Sequence, residues 1–250
     1  MDEFALLVDF HKSQDRQGPG SDQDTRKAIE LAGLGLNELK IADIGCGTGA
    51  STLVLASELN AQITAVDLFP EFLDELNIRS ERLGVSEKIS SLVCSMDDLP
   101  FTNSELDVIW SEGAIYNIGF ENGVRQWRRF LKPGGILAVS ELTWITGNRP
   151  EEIQMRWEKE YAEVDTASAK INVLEQNGYS PIGYFILPEN CWLDNYYLPL
   201  KNGFNDFLSR NGNSEQAKAV VEEHDLEQSL YLKYKEYFSY GFFVAKKVDD

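Results

Sequence analysis

A strand that runs into a glycine-rich turn, followed by a second strand that ends in a carboxylate, constrains this chain more than any other feature. Ile41-Ala42-Asp43-Ile44-Gly45-Cys46-Gly47-Thr48-Gly49-Ala50-Ser51 reads as a buried strand that enters a tight loop and opens a helix, and Ile63-Thr64-Ala65-Val66-Asp67 reads as the next strand. Glycine lets the backbone pass close to a ligand, because no Cβ intrudes and a positive φ costs little. A carboxylate at the tip of the second strand can accept both hydroxyl protons of a ribose. Together the two elements form a grip for the nucleoside end of a small molecule.

The apolar runs continue in the same alternation. Strand 39–44, helix 49–59, strand 62–67, helix 70–83, strands 89–94 and 105–111, helix 121–132 and strand 135–142 predict a mostly parallel sheet wrapped by helices on both faces. Ligands of such sheets bind beyond the carboxyl ends of the strands. Further on, residues 167–177 read as a helix capped by Gly178, 181–187 as a strand and 240–246 as the last strand.

Gly45, Gly47 and Ala50 also satisfy the G-x-G-x-x-G/A pattern, whose helix N-terminus holds a pyrophosphate. Asp43, two residues before Gly45, places a carboxylate beside the loop, where a pyrophosphate is repelled and an ammonium is favoured. With this D-x-G-x-G-x-G spacing the chain resembles the class I S-adenosylmethionine-dependent methyltransferases of small-molecule type, the group that includes ubiquinone and menaquinone methyltransferases. Ser95-Met96-Asp97-Asp98-Leu99-Pro100-Phe101 resembles the segment that brackets adenine. Leu106 to Gly113 resembles the fourth strand and its tip, and Phe130 to Glu141 the turn into the fifth. The similarity covers roughly residues 38–142.

The resemblance implies an α/β, Rossmann-like, doubly wound seven-stranded sheet, mostly parallel with an antiparallel last strand, plus helical cover segments, all in a single methyltransferase domain over 1–250. It implies S-adenosyl-L-methionine as methyl donor, S-adenosyl-L-homocysteine as product, and in-line methyl transfer to a small-molecule acceptor. The donor contacts it implies are Asp43, Gly45, Gly47, Thr48, Gly49, Asp67, Leu68, Ser95, Met96, Asp97, Glu112 and Gly113. One position departs from the pattern, because many relatives carry Asp where this chain has Ser95. The adenine amino proton then falls to Asp97 or to the Ser95 hydroxyl, while the Met96 N–H serves a ring nitrogen. An NAD-linked dehydrogenase and a noncatalytic S-adenosylmethionine-binding protein are the alternatives.

Arg16-Gln17-Gly18-Pro19-Gly20-Ser21 has two readings. It is a turn that leads into a Ser- or Asp-capped helix over 22–32, or it is a turn folded over the donor that offers Arg16 to the donor carboxylate. On the second reading Arg16, Gly18, Gly20 and Ser21 join the cofactor site. Residues 1–37, 144–166 and 188–236 fit no core strand yet carry many aromatics, Trp144 and Trp192 among them. They are expected to cover the strand tips and shape an apolar acceptor pocket. Tyr116, shortly after the fourth strand, is the first choice for an acceptor contact and catalytic residue; His11, Glu141 and His224 are the other candidates for a general base.

A net charge of −18 disfavours nucleic acid and anionic membranes as partners. The three cysteines at irregular spacing read as reduced residues of a cytoplasmic protein. Neither His11 nor His224 has metal-ligand spacing around it, so no metal site is expected. The acidic start Met1-Asp2-Glu3-Phe4 lacks the apolar run of a signal peptide, and no stretch approaches membrane-spanning length. A homodimer is compatible with this reading.

Overall fold

The computed structural model describes residues 3–35 and 37–248, so Met1, Asp2 and Leu36 of the first expected cover segment lie outside the described residues. The sheet is built from β1 (Leu39–Ile44), β2 (Ala61–Asp67), β3 (Ile89–Val93), β4 (Leu106–Glu112), β5 (Leu131–Trp144), β7 (Tyr179–Ile186) and β8 (Phe238–Lys247), in the order β3-β2-β1-β4-β5-β8-β7. A two-residue β6 (Asp165–Thr166) pairs with the end of β5 and makes an eighth strand beyond the seven expected. The first five strands of this order run parallel, and β8 is antiparallel to both β5 and β7.

Both faces of the sheet are apolar, as a sheet covered on two sides requires. On β1, Ile41 belongs to one buried cluster, and Ala42 and Ile44 to the other. On β5, Ile136 and Ala138 alternate with Leu137 and Val139 in the same way. The first cluster is closed by α1 (Glu3–His11), α2 (Asp22–Leu31), α3 (Ala50–Glu58), α8 (Glu189–Trp192), α9 (Leu198–Arg210) and α10 (Glu215–Tyr234). The second is closed by α5 (Phe120–Trp127) and α7 (Ala167–Gln176). α4 (Pro70–Leu83), with proline in its first turn and Gly84 at φ 73° beyond its end, buries Leu73 and Leu76 beside α3. α6 (Glu151–Glu160) contributes Ile153 to the first cluster.

Two boundaries differ most from the sequence reading. The helix expected over 121–132 stops at Trp127 and is followed by a single tight turn, Arg128–Phe130. β5 then begins at Leu131 rather than 135, because Leu131 already pairs with Leu106, and the Pro133-Gly134-Gly135 segment is absorbed as a register shift. The shift is possible because Gly134 takes φ 73°.

The aromatic cover segments are largely core. Trp192 is 1% exposed, stacks on Tyr231 at 4.5 Å and donates its indole N–H to Ser239 Oγ at 2.8 Å. Trp144, also buried, packs edge-on against Phe238 at 6.3 Å. Neither indole faces an acceptor pocket. Their burial fixes the helices that surround the strand tips. Trp192→Ala is therefore expected to lose about 3–5 kcal/mol of unfolding free energy in urea titrations, and a loss below about 1 kcal/mol would show that the site relaxes and the packing account is wrong.

Candidate functional site

A cavity of about 620 Å³ opens at the carboxyl ends of β1, β2, β3 and β4, a volume that suits a small-molecule ligand. Its floor is the loop after β1. Gly45 N and Cys46 N both donate to Val66 O, at 2.8 and 3.0 Å, which ties the loop to β2. Gly45 takes φ 73°, and a Cβ there would collide with the Ala114 side chain. Gly47 takes φ 55°, and a Cβ there would collide with the amide of Gln17. Bare backbone is what lets both neighbours close on the loop.

Asp67, at the tip of β2, lines the cavity. Its Oδ2 accepts from Gly47 N at 2.8 Å and its Oδ1 from Phe69 N at 3.0 Å. Burial raises its pKa above the ordinary carboxylate value, and these backbone bonds oppose the rise. A carboxylate offers about four lone-pair sites, so both oxygens retain capacity toward the cavity. Ser95, Met96 and Asp97 line the neighbouring wall; Ser95 Oγ donates to Asp97 Oδ1 at 2.5 Å, and Met96 O accepts from Trp127 Nε1 at 2.9 Å. Leu68 and Gly113 also line the cavity.

At the tip of β4 the Glu112 carboxylate is held from three sides. Oε1 accepts from Thr25 Oγ1 at 2.7 Å and Trp110 Nε1 at 2.9 Å, and Oε2 accepts from Arg16 Nη1 at 3.2 Å. Arg16 also donates to Asp22 Oδ1 at 3.0 Å. Arg16 and Gly18 line the cavity, so the N-terminal turn does lie over it. Gly20 and Ser21 do not line it. A Cβ on Gly20 would crowd the Arg16 guanidinium, and Ser21 caps α2 by accepting from Asp24 N at 3.0 Å.

Three further expected contacts lie off the cavity. Asp43 is wholly buried behind the loop, where one carboxylate oxygen accepts from Ser51 Oγ at 2.8 Å and Thr52 Oγ1 at 2.6 Å and the other has no partner. Burial pushes its pKa up to about 7; the two hydroxyls oppose this, and the charges of Glu112 and Asp67 add to it. Thr48 is turned to the N-terminal segment, its hydroxyl donating to Gln14 O at 2.9 Å while its N–H donates to Gln17 Oε1 at 2.9 Å. Gly49, at φ 87°, is the point where α3 meets Leu76 of α4.

The far end of the cavity is formed by α1, by the residues after β4, and by the turn Leu193–Tyr197. Tyr116 lines it, 43% exposed and set edge-on to Tyr161 at 6.0 Å. His11 lines it as well, its ring parallel to that of Tyr196 at 6.4 Å. Burial, and then the neighbouring His224, pull the His11 pKa down to about 4. His224 and Glu141 are set back from the cavity lining. His224 is enclosed among Phe10, Tyr196 and Tyr197, and Glu141 is wholly buried with its carboxylate 4.0 Å from Lys170 Nζ. Tyr196, one of the cover aromatics, and Cys46 of the glycine loop also line the cavity, as do Gln17, Phe69 and Phe72, which were not singled out from sequence. Gln17 sat inside a recognised turn, but nothing in the spacing linked it to Gly47.

Among the described lining residues Arg16 is the one permanent cation, against the acids Asp67, Asp97 and Glu112. That balance suits a ligand with positive charge and a nucleoside end, and it repels a pyrophosphate. Among the described residues no cluster of three His, Cys, Asp or Glu could hold a metal, and no helix is long and apolar enough to cross a membrane.

Known proteins share sequence and fold with this chain. Residues 42–139 match a family model described as a methyltransferase domain. The YjhP protein of Escherichia coli is 26% identical over 209 residues, which are 82% of this chain and 83% of YjhP. Tocopherol O-methyltransferase of Arabidopsis thaliana is 28% identical over 160 residues, 63% of this chain and 41% of that enzyme. The chain spans less than half the length of the first curated relatives it matches. In fold it is similar to a methyltransferase from Geobacter sulfurreducens solved with S-adenosyl-L-homocysteine, with a TM-score of 0.83 at 19% identity over 96% of this chain and 97% of that one.

Asp43 makes stability depend on pH. Its ordinary pKa of 3.8 applies in the unfolded chain and about 7 in the folded one, so between those values only the folded state holds the proton. Stability then falls as pH rises through that window, by up to about 1.4 kcal/mol per unit. Denaturant titrations from pH 5 to 7 are expected to show a shallower fall for Asp43→Asn than for the unaltered chain. Equal slopes would mean that Asp43 stays ionised.

Proposed function

We propose that the chain, whose residues 42–139 match a methyltransferase domain, is a class I S-adenosylmethionine-dependent methyltransferase that moves the donor's methyl group to a small-molecule acceptor by in-line displacement. The observation that supports this most is the Asp67 carboxylate, which closes the glycine loop through Gly47 N and lines the cavity at the tip of β2. On this reading Asp67 receives the ribose hydroxyls beside Leu68, and Ser95, Met96 and Asp97 receive adenine. Glu112 faces the donor's ammonium, with Gly113 beside it, and Arg16 its carboxylate, with Gly18 beside Arg16. The structure suits such a group, since backbone replaces side chains at Gly45 and Gly47 and acids outnumber bases in the lining. Asp43, Thr48 and Gly49 act one layer out, holding the loop against α3, α4 and the N-terminal segment.

When bound, the donor supplies a methyl group already activated by the sulfonium charge. The chain's own residues align the acceptor and exclude water. Tyr116 is assigned to the acceptor. Residues 1–37, 144–166 and 188–236 serve as a cover that completes a single domain around the 38–142 core. Residues 14–20 act as a lid, supported by the bonds from Thr48 to Gln14 O and Gln17 Oε1. A cytoplasmic location and no nucleic-acid partner complete the reading, resting on three free cysteines and a net charge of −18. The dehydrogenase alternative has no support, because a dinucleotide's phosphates would meet the acids of the lining.

Asp67→Ala is expected to weaken S-adenosyl-L-homocysteine binding by about 1.5–3 kcal/mol in calorimetric titration, with an unchanged circular dichroism spectrum; unaltered affinity would remove Asp67 from the site. Amide exchange across residues 14–20 is expected to slow when S-adenosyl-L-homocysteine is added. Identical exchange with and without it would make this stretch an ordinary turn.

A further inference from the structure

The cavity has two ends of different chemistry. Under the tips of β1 to β4 it is lined by Asp67, Asp97, Glu112 and Arg16. At the other end the lining is Leu7, Val8, His11, Tyr116, Ile118 and Tyr196, joined by Phe4 and Asn117. No Asp, Glu, Lys or Arg stands among these described residues, and the Asn117 amide already donates to Ala114 O at 2.9 Å. His11 is itself neutral near pH 7. An anion placed here would be buried without a countercharge, and the charges of Glu141 and Glu227 reach Tyr116 from behind the lining, which makes it strongly unfavourable. This end therefore rejects an anion.

One side chain at this end is set to receive a proton. The His11 ring lies edge-on to Phe10 at 5.0 Å and parallel to Tyr196 at 6.4 Å. Its backbone carbonyl accepts from Gln14 N at 2.9 Å and from Gln17 Nε2 at 3.3 Å, which anchors the end of α1 beside the lid segment. Nδ1 is enclosed in protein with no hydrogen-bond partner. Nε2 is then the nitrogen that can meet a molecule in the cavity. A ring fixed by its packing, with a nitrogen left to a ligand, is preorganised for one hydrogen bond. Phe4 and Leu7 of this end are 67% and 40% exposed, an apolar surface along which a hydrocarbon substituent can extend.

We propose that the acceptor is an uncharged phenolic or enolic hydroxyl compound, that its hydroxyl donates to His11 Nε2, and that its apolar body lies against Tyr116 and Tyr196. This rests on the methyl-transfer reading above. The hydroxyl oxygen forms the new O–CH3 bond as the donor's S–CH3 bond breaks and its electron pair goes to sulfur. The hydroxyl proton passes to His11 and from there to water. A weakly basic imidazole is enough, because the oxygen carries positive charge as it is methylated and becomes strongly acidic.

The test uses the full chain saturated with S-adenosyl-L-homocysteine, with 4-propylphenol as probe and 4-propylbenzoate as charged control. The phenol is expected to shift the imidazole nitrogen resonance of His11 and to bind at least about tenfold more tightly than the benzoate. His11→Phe is expected to weaken phenol binding about tenfold, equivalent to 1.4 kcal/mol, while affinity for S-adenosyl-L-homocysteine stays within about twofold. His11→Gln, which keeps a hydrogen-bond acceptor, is expected to recover part of the loss. The inference is overturned by an unmoved His11 resonance, by benzoate binding as tightly as the phenol, or by phenol affinity indifferent to His11→Phe. It is overturned equally if S-adenosyl-L-homocysteine binds and the phenol does not. Failure of S-adenosyl-L-homocysteine itself to bind would instead bring down the methyl-transfer reading.

Discussion

The hydrogen bond from Gly47 N to Asp67 Oδ2, 2.8 Å long, is the contact on which the site is organised. It joins the loop after β1 to the tip of the neighbouring parallel strand, and the two bonds from Gly45 and Cys46 to Val66 O repeat the join one step deeper. A parallel sheet leaves its strand tips at one edge, where backbone amides need partners that the next strand cannot supply. Here the second strand supplies them with a side chain, and the same carboxylate remains available to the cavity. Loop closure and cavity lining thus use one group.

The layers behind that contact are arranged to keep it in place. Asp43 ties the loop to the first turn of α3 through Ser51 and Thr52. Arg79 of α4 donates to Thr48 O at 2.9 Å and to Asp15 O at 3.0 Å, linking the loop, α4 and the N-terminal segment. Glu112 draws together α2, β4 and Arg16. Each of these acids is partly satisfied by a hydroxyl or indole rather than by a countercharge alone, which limits the desolvation penalty of burying it. The chain as a whole is strongly acidic, and its site carries that excess inward.

Much of this could be read in the sequence, because the signals were local. The strand-loop-helix with its glycines and the strand ending at Asp67 depend on neighbours close along the chain, so periodicity and turn chemistry reveal them. Where the structure departs from that reading, the deciding contact was mostly distant, with Asp43 and its near partners Ser51 and Thr52 the exception. Asp43 stands beside the loop in sequence, but strand alternation turns its side chain under the loop, toward Thr52. Thr48 and Gly49 belong to the same motif and serve the N-terminal segment and α4 instead. Trp144 and Trp192 looked like pocket walls by composition, yet they pack into the first cluster because β8 supplies Phe238 and Ser239 to them. His11 and Tyr196 meet from opposite ends of the chain, and no spacing rule joins them.

Calorimetric titration of the unaltered chain with S-adenosyl-L-homocysteine, and separately with NAD, tests the central claim most directly. The account predicts saturable one-to-one binding of S-adenosyl-L-homocysteine and no heat with NAD. Binding of NAD, or no binding of S-adenosyl-L-homocysteine, would contradict it.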